Sequence, residues 1–241
     1  MAWSALICAS AVENRIRNIP IPMNAPAEAE WFASLRQRMV DHDLRGRGIA
    51  DERVLQAMLR LLRHEFVSEA YRSQAYEDHP LPIGEGQTIS QPYIVAIMLE
   101  ALAPRATDKV LEVGAGSGYA TALLADLTER VVAVERYPVL VASATQTLSR
   151  LGYKNVNVVV GDGSQGFAAG APYDAILVSA AAHAVPQALL SQLREDGGRM
   201  IIPVGPAESQ QLQLIRRQAG RALVTLCGAC RFVPLVSGVN A

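Results

Sequence analysis

Four groups of residues in this chain have the types and spacing to act on a bound ligand. The first is Glu112-x-Gly114-x-Gly116-x-Gly118. Gly114 permits a sharp turn out of an apolar stretch, and Gly116 and Gly118, lacking a Cβ, let a ligand and a following helix approach the backbone. The second is Glu135, about 20 residues on, where an acid can accept both hydroxyls of a ribose. The third is Asp162-Gly163, an acid able to accept a hydrogen bond from an adenine amino group. The fourth is the polar run Gln87-Thr88-Ile89-Ser90, ahead of the others in the chain. A dinucleotide fingerprint, G-x-G-x-x-G, would put its last glycine at Tyr119, and no Lys followed by Ser or Thr is present to hold a triphosphate. Read singly, each acid could equally be a solvated strand end, and Ser90 could be a helix cap.

Such groups need a scaffold that brings strand ends together. KVLEV, from Lys109 to Val113, reads as a strand that breaks at the glycines into a helix from about Tyr119. RVVAVE, from Arg130 to Glu135, is the β-branched run of a parallel strand buried on both faces. A helix over 140–151, strands over 155–160 and 173–182, and a helix over 186–193 continue the alternation. RMIIPVG and paired strands over 211–217 and 222–236 close the sheet. This pattern predicts an α/β fold with a doubly wound, mostly parallel sheet, whose ligand lies at the carboxyl ends of the strands.

Ahead of it the pattern predicts an N-terminal helical cap. Trp31, Leu35 and Met39 recur at helical spacing from about Ala27, and Asp51 is placed to cap a helix with Val54, Leu55, Met58, Leu59 and Leu62 on its apolar face. Pro80, Pro82, Pro92, Gly84 and Gly86 argue against a regular element over 76–93, while Pro92 suits the first turn of a helix to about Ala103. Residues 25–241 are therefore expected as one domain, with cap and loop over 25–105 and the ligand-binding core over 106–241. Residues 1–24, apolar at first and then broken by Pro20 and Pro22, read as a poorly ordered extension.

Composition narrows the partners. Half of the 241 residues are apolar and the net charge is −1, which gives no electrostatic footprint for nucleic acid. No stretch is long and apolar enough for a membrane helix. Cys8, Cys227 and Cys230 make no disulfide framework and fit a reducing cytoplasm. Cys227-x-x-Cys230 lies in an apolar run and reads as packed strand residues. The histidines at 42, 64, 79 and 183 show no ligand spacing, so no metal is expected.

The glycine pattern with its preceding acid resembles the first motif of class I S-adenosylmethionine methyltransferases. With RGIADERVLQAM, YEDHPLPIGEGQTISQPY, GDGSQG, APYDAILVSAAA, GGRMIIPVG and RFVPLVSG, the chain resembles the bacterial-type protein-L-isoaspartate O-methyltransferases from about Arg38 to Val236. GQTISQP is the most specific of these segments. Leu62 and Ser68 depart from the pattern, standing where prolines are expected.

The resemblance implies methyl transfer from S-adenosylmethionine, leaving S-adenosylhomocysteine, to the free α-carboxylate of L-isoaspartyl residues in damaged proteins and peptides. The ester then closes to succinimide and returns in part to normal Asp. It implies that Glu112, Gly114, Gly116 and Gly118 take the amino-acid end and sugar of the cofactor, Glu135 the ribose, and Asp162 with Gly163 the adenine. Gln87, Thr88 and Ile89 would lie over the methyl group, with Thr88 and Ser90 holding the substrate carboxylate and Ser90 acting in catalysis. A cytoplasmic monomer is expected, without metal, membrane or nucleic acid. Two alternatives remain at this point: a methyltransferase acting on a small-molecule carboxylate or hydroxyl, and a binding protein that has kept the fold without the activity.

Overall fold

The computed structural model describes residues 25–239, so the extension expected over 1–24 lies outside the described residues. Helix α1 (Ala25–Arg38) runs into a short π-helical turn, Met39–Leu44, that buries Met39, Val40 and Leu44. Helix α2 (Glu52–Arg60) starts where expected. Asp51 accepts the backbone N–H groups of Arg53 at 2.9 Å and Val54 at 3.4 Å, which have no helical partner. Its inner face buries Val54, Leu55, Ala57 and Met58.

Residues 76–93 correct the expectation that no regular element forms there. Strands β1 (Leu81–Gly84) and β2 (Gln87–Ile89) make a two-stranded antiparallel hairpin. Its two-residue turn, Glu85 and Gly86, takes φ of 51° and 68°, the mirror-image turn whose twist matches that of paired strands. The prolines are tolerated because a ribbon of two strands is all edge, so Pro82 breaks no ladder on a second side. Helix α3 (Pro92–Leu102) follows with Pro92 in its first turn.

The remaining strands form one seven-stranded sheet. β3 (Lys109–Val113), β4 (Arg130–Glu135), β5 (Val156–Val160), β6 (Ala175–Val178) and β7 (Arg199–Val204) are parallel, and β8 (Gln210–Gln218) and β9 (Arg221–Cys230) are antiparallel. The order is β5-β4-β3-β6-β7-β8-β9. Helices α4 (Tyr119–Leu127), α5 (Pro138–Arg150) and α6 (Gln187–Gln192) cross between the strands. From β3 the chain goes to β4 on one side and later to β6 on the other, so the order reverses there and a crevice opens at the strand ends.

Two strands end earlier than their composition suggests. β6 stops at Val178 rather than Ala182, and β9 stops at Cys230 rather than Val236. Beyond β9, Gln210 holds Phe232 through both ends of its amide, turning the chain back across the sheet top. Ala181 then donates to the Val233 carbonyl at 2.8 Å and accepts from Leu235 at 2.7 Å, on either side of Pro234, which has no N–H to give. The segment after β9 thus becomes a wall of the crevice. Cys227 and Cys230 lie partly buried on β9 as free thiols.

Buried apolar side chains fill both faces of the sheet, the cap closing one of them. A buried arginine ties the cap to the sheet base. Arg199 on β7 donates to the carbonyls of Leu102 at 2.7 Å and Ala103 at 2.9 Å and pairs with Asp108. Asp108, these two carbonyls and that of Asp174, at 3.1 Å, satisfy the guanidinium, which burial would otherwise make costly.

Candidate active site

The crevice at the ends of β3, β4 and β6 is lined by all four residues of the Gln87–Ser90 run, by Glu112, Gly114, Gly116, Glu135 and Gly163, and by part of the segment after β9. Residues far apart in sequence thus converge on one cavity. Gly118 and Asp162 are not in its wall.

The turn is built by the backbone. Gly114 and Ala115 both donate to the Val134 carbonyl at the end of β4, at 2.8 and 3.3 Å. A side chain on Gly114 would meet Ser179, which follows β6, and one on Gly116 would meet the Ile83 methyl at 3.1 Å. Gly118 serves another contact. It takes φ of 86° before α4, and a Cβ there would lie 3.2 Å from both Ala144 and Leu148 of α5. The missing Cβ lets α4 pack closely against α5 behind the turn.

Glu112 is wholly buried. Thr121 on α4 donates to its Oε2, while Oε1 has no partner. Burial pushes its pKa up to about 8, opposed by the Thr121 hydrogen bond and aided by the nearby Glu135 carboxylate. A buried acid with one bare oxygen in a cavity wall is suited to a cationic group such as an ammonium. Glu135 ends β4 in a fixed orientation: Oε2 accepts from Gly116 at 3.0 Å, and Oε1 accepts from Arg136 at 2.7 Å and Tyr137 at 3.1 Å. Oε2, with one donor, still has acceptor capacity for a hydroxyl donor.

Asp162 anchors the chain on either side of it. Oδ1 accepts the Ser164 N–H at 2.9 Å and hydroxyl at 2.7 Å, and Oδ2 accepts the Gly238 N–H at 2.8 Å. Burial would raise its pKa, but these hydrogen bonds outweigh that and hold it below the usual value. The acid therefore fastens the tail, and Gly163 beside it faces the cavity. Gly163 has no room for a side chain, since a Cβ would stand 2.6 Å from Val113 Cγ1.

Ser90 sits between β2 and α3 and caps nothing. The residue at the helix N-cap is Gln91, which makes no side-chain cap bond, and the Tyr93 N–H is taken by Asp78 at 3.0 Å. Asp78 also receives the Gln91 amide, at 3.0 Å on its carbonyl and 2.6 Å on its carboxylate. The Ser90 carbonyl accepts from the buried Arg63 at 2.8 Å. Sequence reasoning missed Arg63, Asp78 and Tyr119, which shape this loop and wall. Only the position of Asp78 ahead of a proline-started helix hinted at a cap, and Asp78 lies too far upstream for capping rules to apply. Among the described residues no group of three or more His, Cys, Asp or Glu could hold a metal ion.

Comparison with known proteins gives a consistent family. The model for Protein-L-isoaspartate(D-aspartate) O-methyltransferase matches residues 34–240. A protein from Koribacter versatilis named Protein-L-isoaspartate O-methyltransferase is 55% identical over 214 residues, 89% of this chain and 96% of that one. A second of that name, from Methanoculleus marisnigri, is 54% identical over 210 residues, covering 87% and 94%. Among solved structures, a protein-L-isoaspartate O-methyltransferase superposes with a TM-score of 0.76 at 31% identity, over 84% of this chain and 66% of that one. A beta-aspartate methyltransferase from Plasmodium falciparum, solved with S-adenosyl-L-homocysteine, gives 0.73 at 27% identity, over 84% and 99%.

Proposed function

Because the chain belongs to the protein-L-isoaspartate O-methyltransferase family, we infer that it is a protein repair enzyme, methylating the free α-carboxylate of L-isoaspartyl residues in damaged proteins and peptides with S-adenosylmethionine as donor. The observation that carries the reading is the convergence of the Gln87–Ser90 loop with Glu112, the glycine turn and Glu135 on one cavity. The loop segment is the most family-specific part of the sequence, and the rest matches the cofactor.

The residues present fit that cofactor. The bare Oε1 of Glu112 suits the ammonium of its amino-acid end, with the open backbone of Gly114 and Gly116 beside it. Glu135, aligned by its three amide donors, would take the ribose, and Gly163 the adenine edge. Asp162 would act on the adenine end through the tail it anchors at Gly238. Gln87, Thr88 and Ile89 would cover the cofactor from the hairpin side. When bound, S-adenosylmethionine supplies a methyl group on a sulfonium, an electrophile for an ionised carboxylate.

What remains for the chain is binding, alignment and exclusion of water. A substrate carboxyl with a pKa near ~4 is ionised at neutral pH, so no residue has to remove a proton. We place Ser90 and Thr88 as the groups that hold the carboxylate; the Ser90 hydroxyl is uncommitted and the residue lines the cavity. Val113, Val134, Leu177 and Leu235 supply dry walls, which favour a reaction that cancels opposite charges. A monomer in the cytoplasm is the proposed setting, and the free thiols of Cys227 and Cys230 suit a reducing compartment. Incubating an isoaspartyl peptide with the enzyme and cofactor should yield the methyl ester, then succinimide, then peptide containing normal Asp, each resolved by chromatography. Failure of the ester to form would refute the reading.

A further inference from the structure

Arg63 is an unusual buried cation. Its side chain is wholly inaccessible, yet no carboxylate among the described residues forms an ion pair with it. Nε donates to the Ala75 carbonyl at 2.7 Å and Nη2 to the Ser90 carbonyl at 2.8 Å. Nη1 has no partner. The guanidinium carbon lies 4.7 Å from the centroid of the Tyr119 ring, and the buried Tyr119 hydroxyl interacts with the same guanidinium. Tyr119 is part of the cavity wall and Ser90 part of the loop over it.

A buried charge is expensive, and a neutral side chain could fill this space at lower cost. Its geometry shows what it achieves here. The planar fork spans two backbone carbonyls on either side of the hairpin, Ala75 before β1 and Ser90 after β2. It therefore clamps both ends of the segment that presents Gln87 to Ser90. The flat face is held by Tyr119, so the clamp is referenced to the first residue of α4, directly after the glycine turn. One side chain thus relates the loop over the site to the turn beneath it.

We propose that Arg63 is a positioning residue for methyl transfer, fixing the Ser90 carbonyl so that its hydroxyl faces the incoming carboxylate, and adding an unneutralised positive charge that favours an anionic substrate. The proposal rests on the assignment of Ser90 as carboxylate holder. It separates two contributions: the fork sets alignment, and the charge sets attraction.

The test is a cycle of Arg63→Lys, Ser90→Ala and the double variant, with Arg63→Gln alongside. Each is assayed on an isoaspartyl peptide, for S-adenosylmethionine affinity and for melting temperature. Arg63→Lys keeps the charge but loses the two-carbonyl span, so kcat should fall about tenfold or more while KM for the peptide and cofactor affinity stay within about twofold. Arg63→Gln should also raise the peptide KM. In the Ser90→Ala background, Arg63→Lys should cost less than about twofold further, because the group it positions is gone. Should Arg63→Gln not fold, Arg63→Lys, which retains stem and charge, carries the measurement. Equal factors in both backgrounds, or cofactor affinity falling in step with turnover, would assign Arg63 to the fold alone and overturn the proposal. Wild-type protein that methylates no isoaspartyl peptide would bring down the parent reading and this inference together, before any variant is compared. Active wild type with an unaffected Arg63→Lys would overturn only this inference.

Discussion

Thr121 Oγ1 donates to Glu112 Oε2 and leaves Glu112 Oε1 bare in a fully buried position, so one carboxylate is half anchored by the protein and half available to a ligand. In the free protein Glu112 has a pKa of about 8 and carries a proton at neutral pH. Contact with an ammonium requires the ionised form, so binding must release that proton. Cofactor affinity should therefore rise with pH, by up to about tenfold per unit below about pH 8, and level off above it. Calorimetry in two buffers of different ionisation enthalpy should show proton release near neutral pH. An affinity flat across that range would remove Glu112 from the cofactor's amino-acid end.

The same burial makes Glu112 a cost to stability. The folded protein keeps a proton here that the unfolded chain gives up near its ordinary pKa of 4.5, so stability is lost as pH rises from that value to about 8. Glu112→Gln removes the charge while keeping the shape. It should melt higher than wild type, with a gap that grows through this window to on the order of 3–5 kcal/mol at most. It should also bind cofactor weakly. Melting curves at several pH values check the first point, and a gap that does not grow with pH would contradict it.

Glu135→Ala should weaken cofactor binding by about 1–3 kcal/mol, because it removes the acceptor proposed for the ribose and releases the Gly116 amide. Asp162→Ala should weaken it less, since the role proposed for that carboxylate runs through Gly238. Equilibrium dialysis of both variants gives the order, and a larger loss at Asp162 would reverse the assignment.

The contrast between Ser90 and Asp78 separates a group proposed to touch substrate from one that holds the helix. Ser90→Ala breaks no cap, so its melting temperature should match wild type while turnover falls roughly 10- to 150-fold with cofactor affinity retained. Asp78→Ala loses the Tyr93 cap and the Gln91 side-chain bond, and should lose about 1–2 kcal/mol of stability. A destabilised Ser90→Ala with full turnover would exchange the two roles.

Much of this fold could be read from local pattern. The β4 run, the glycine turn, the Pro92 helix start and the Asp51 cap each depend on neighbours within a few residues, and each appears where the chain predicts it. The hairpin over 81–89 was hidden because its turn keeps the second-position Gly86 but has Glu85, with positive φ, where Asn, Asp or Gly is usual. Gly118 and Asp162 show the limit for the site. Both match a binding pattern in sequence, and the fold also gives them contacts to α5 and to the tail that only folding brings near. Arg63 was invisible for the same reason: its partners, Ala75 and Ser90, are backbone carbonyls, which leave no trace in side-chain composition.

The most direct measurement is transfer of labelled methyl from S-adenosylmethionine to a matched pair of peptides, one with L-isoaspartyl and one with normal L-aspartyl at the same position. The two differ by moving a single methylene between side chain and main chain, which changes the direction from which the carboxylate reaches Ser90. Label is expected on the isoaspartyl peptide and none above background on its isomer. Equal labelling of both, or labelling of neither, would contradict it.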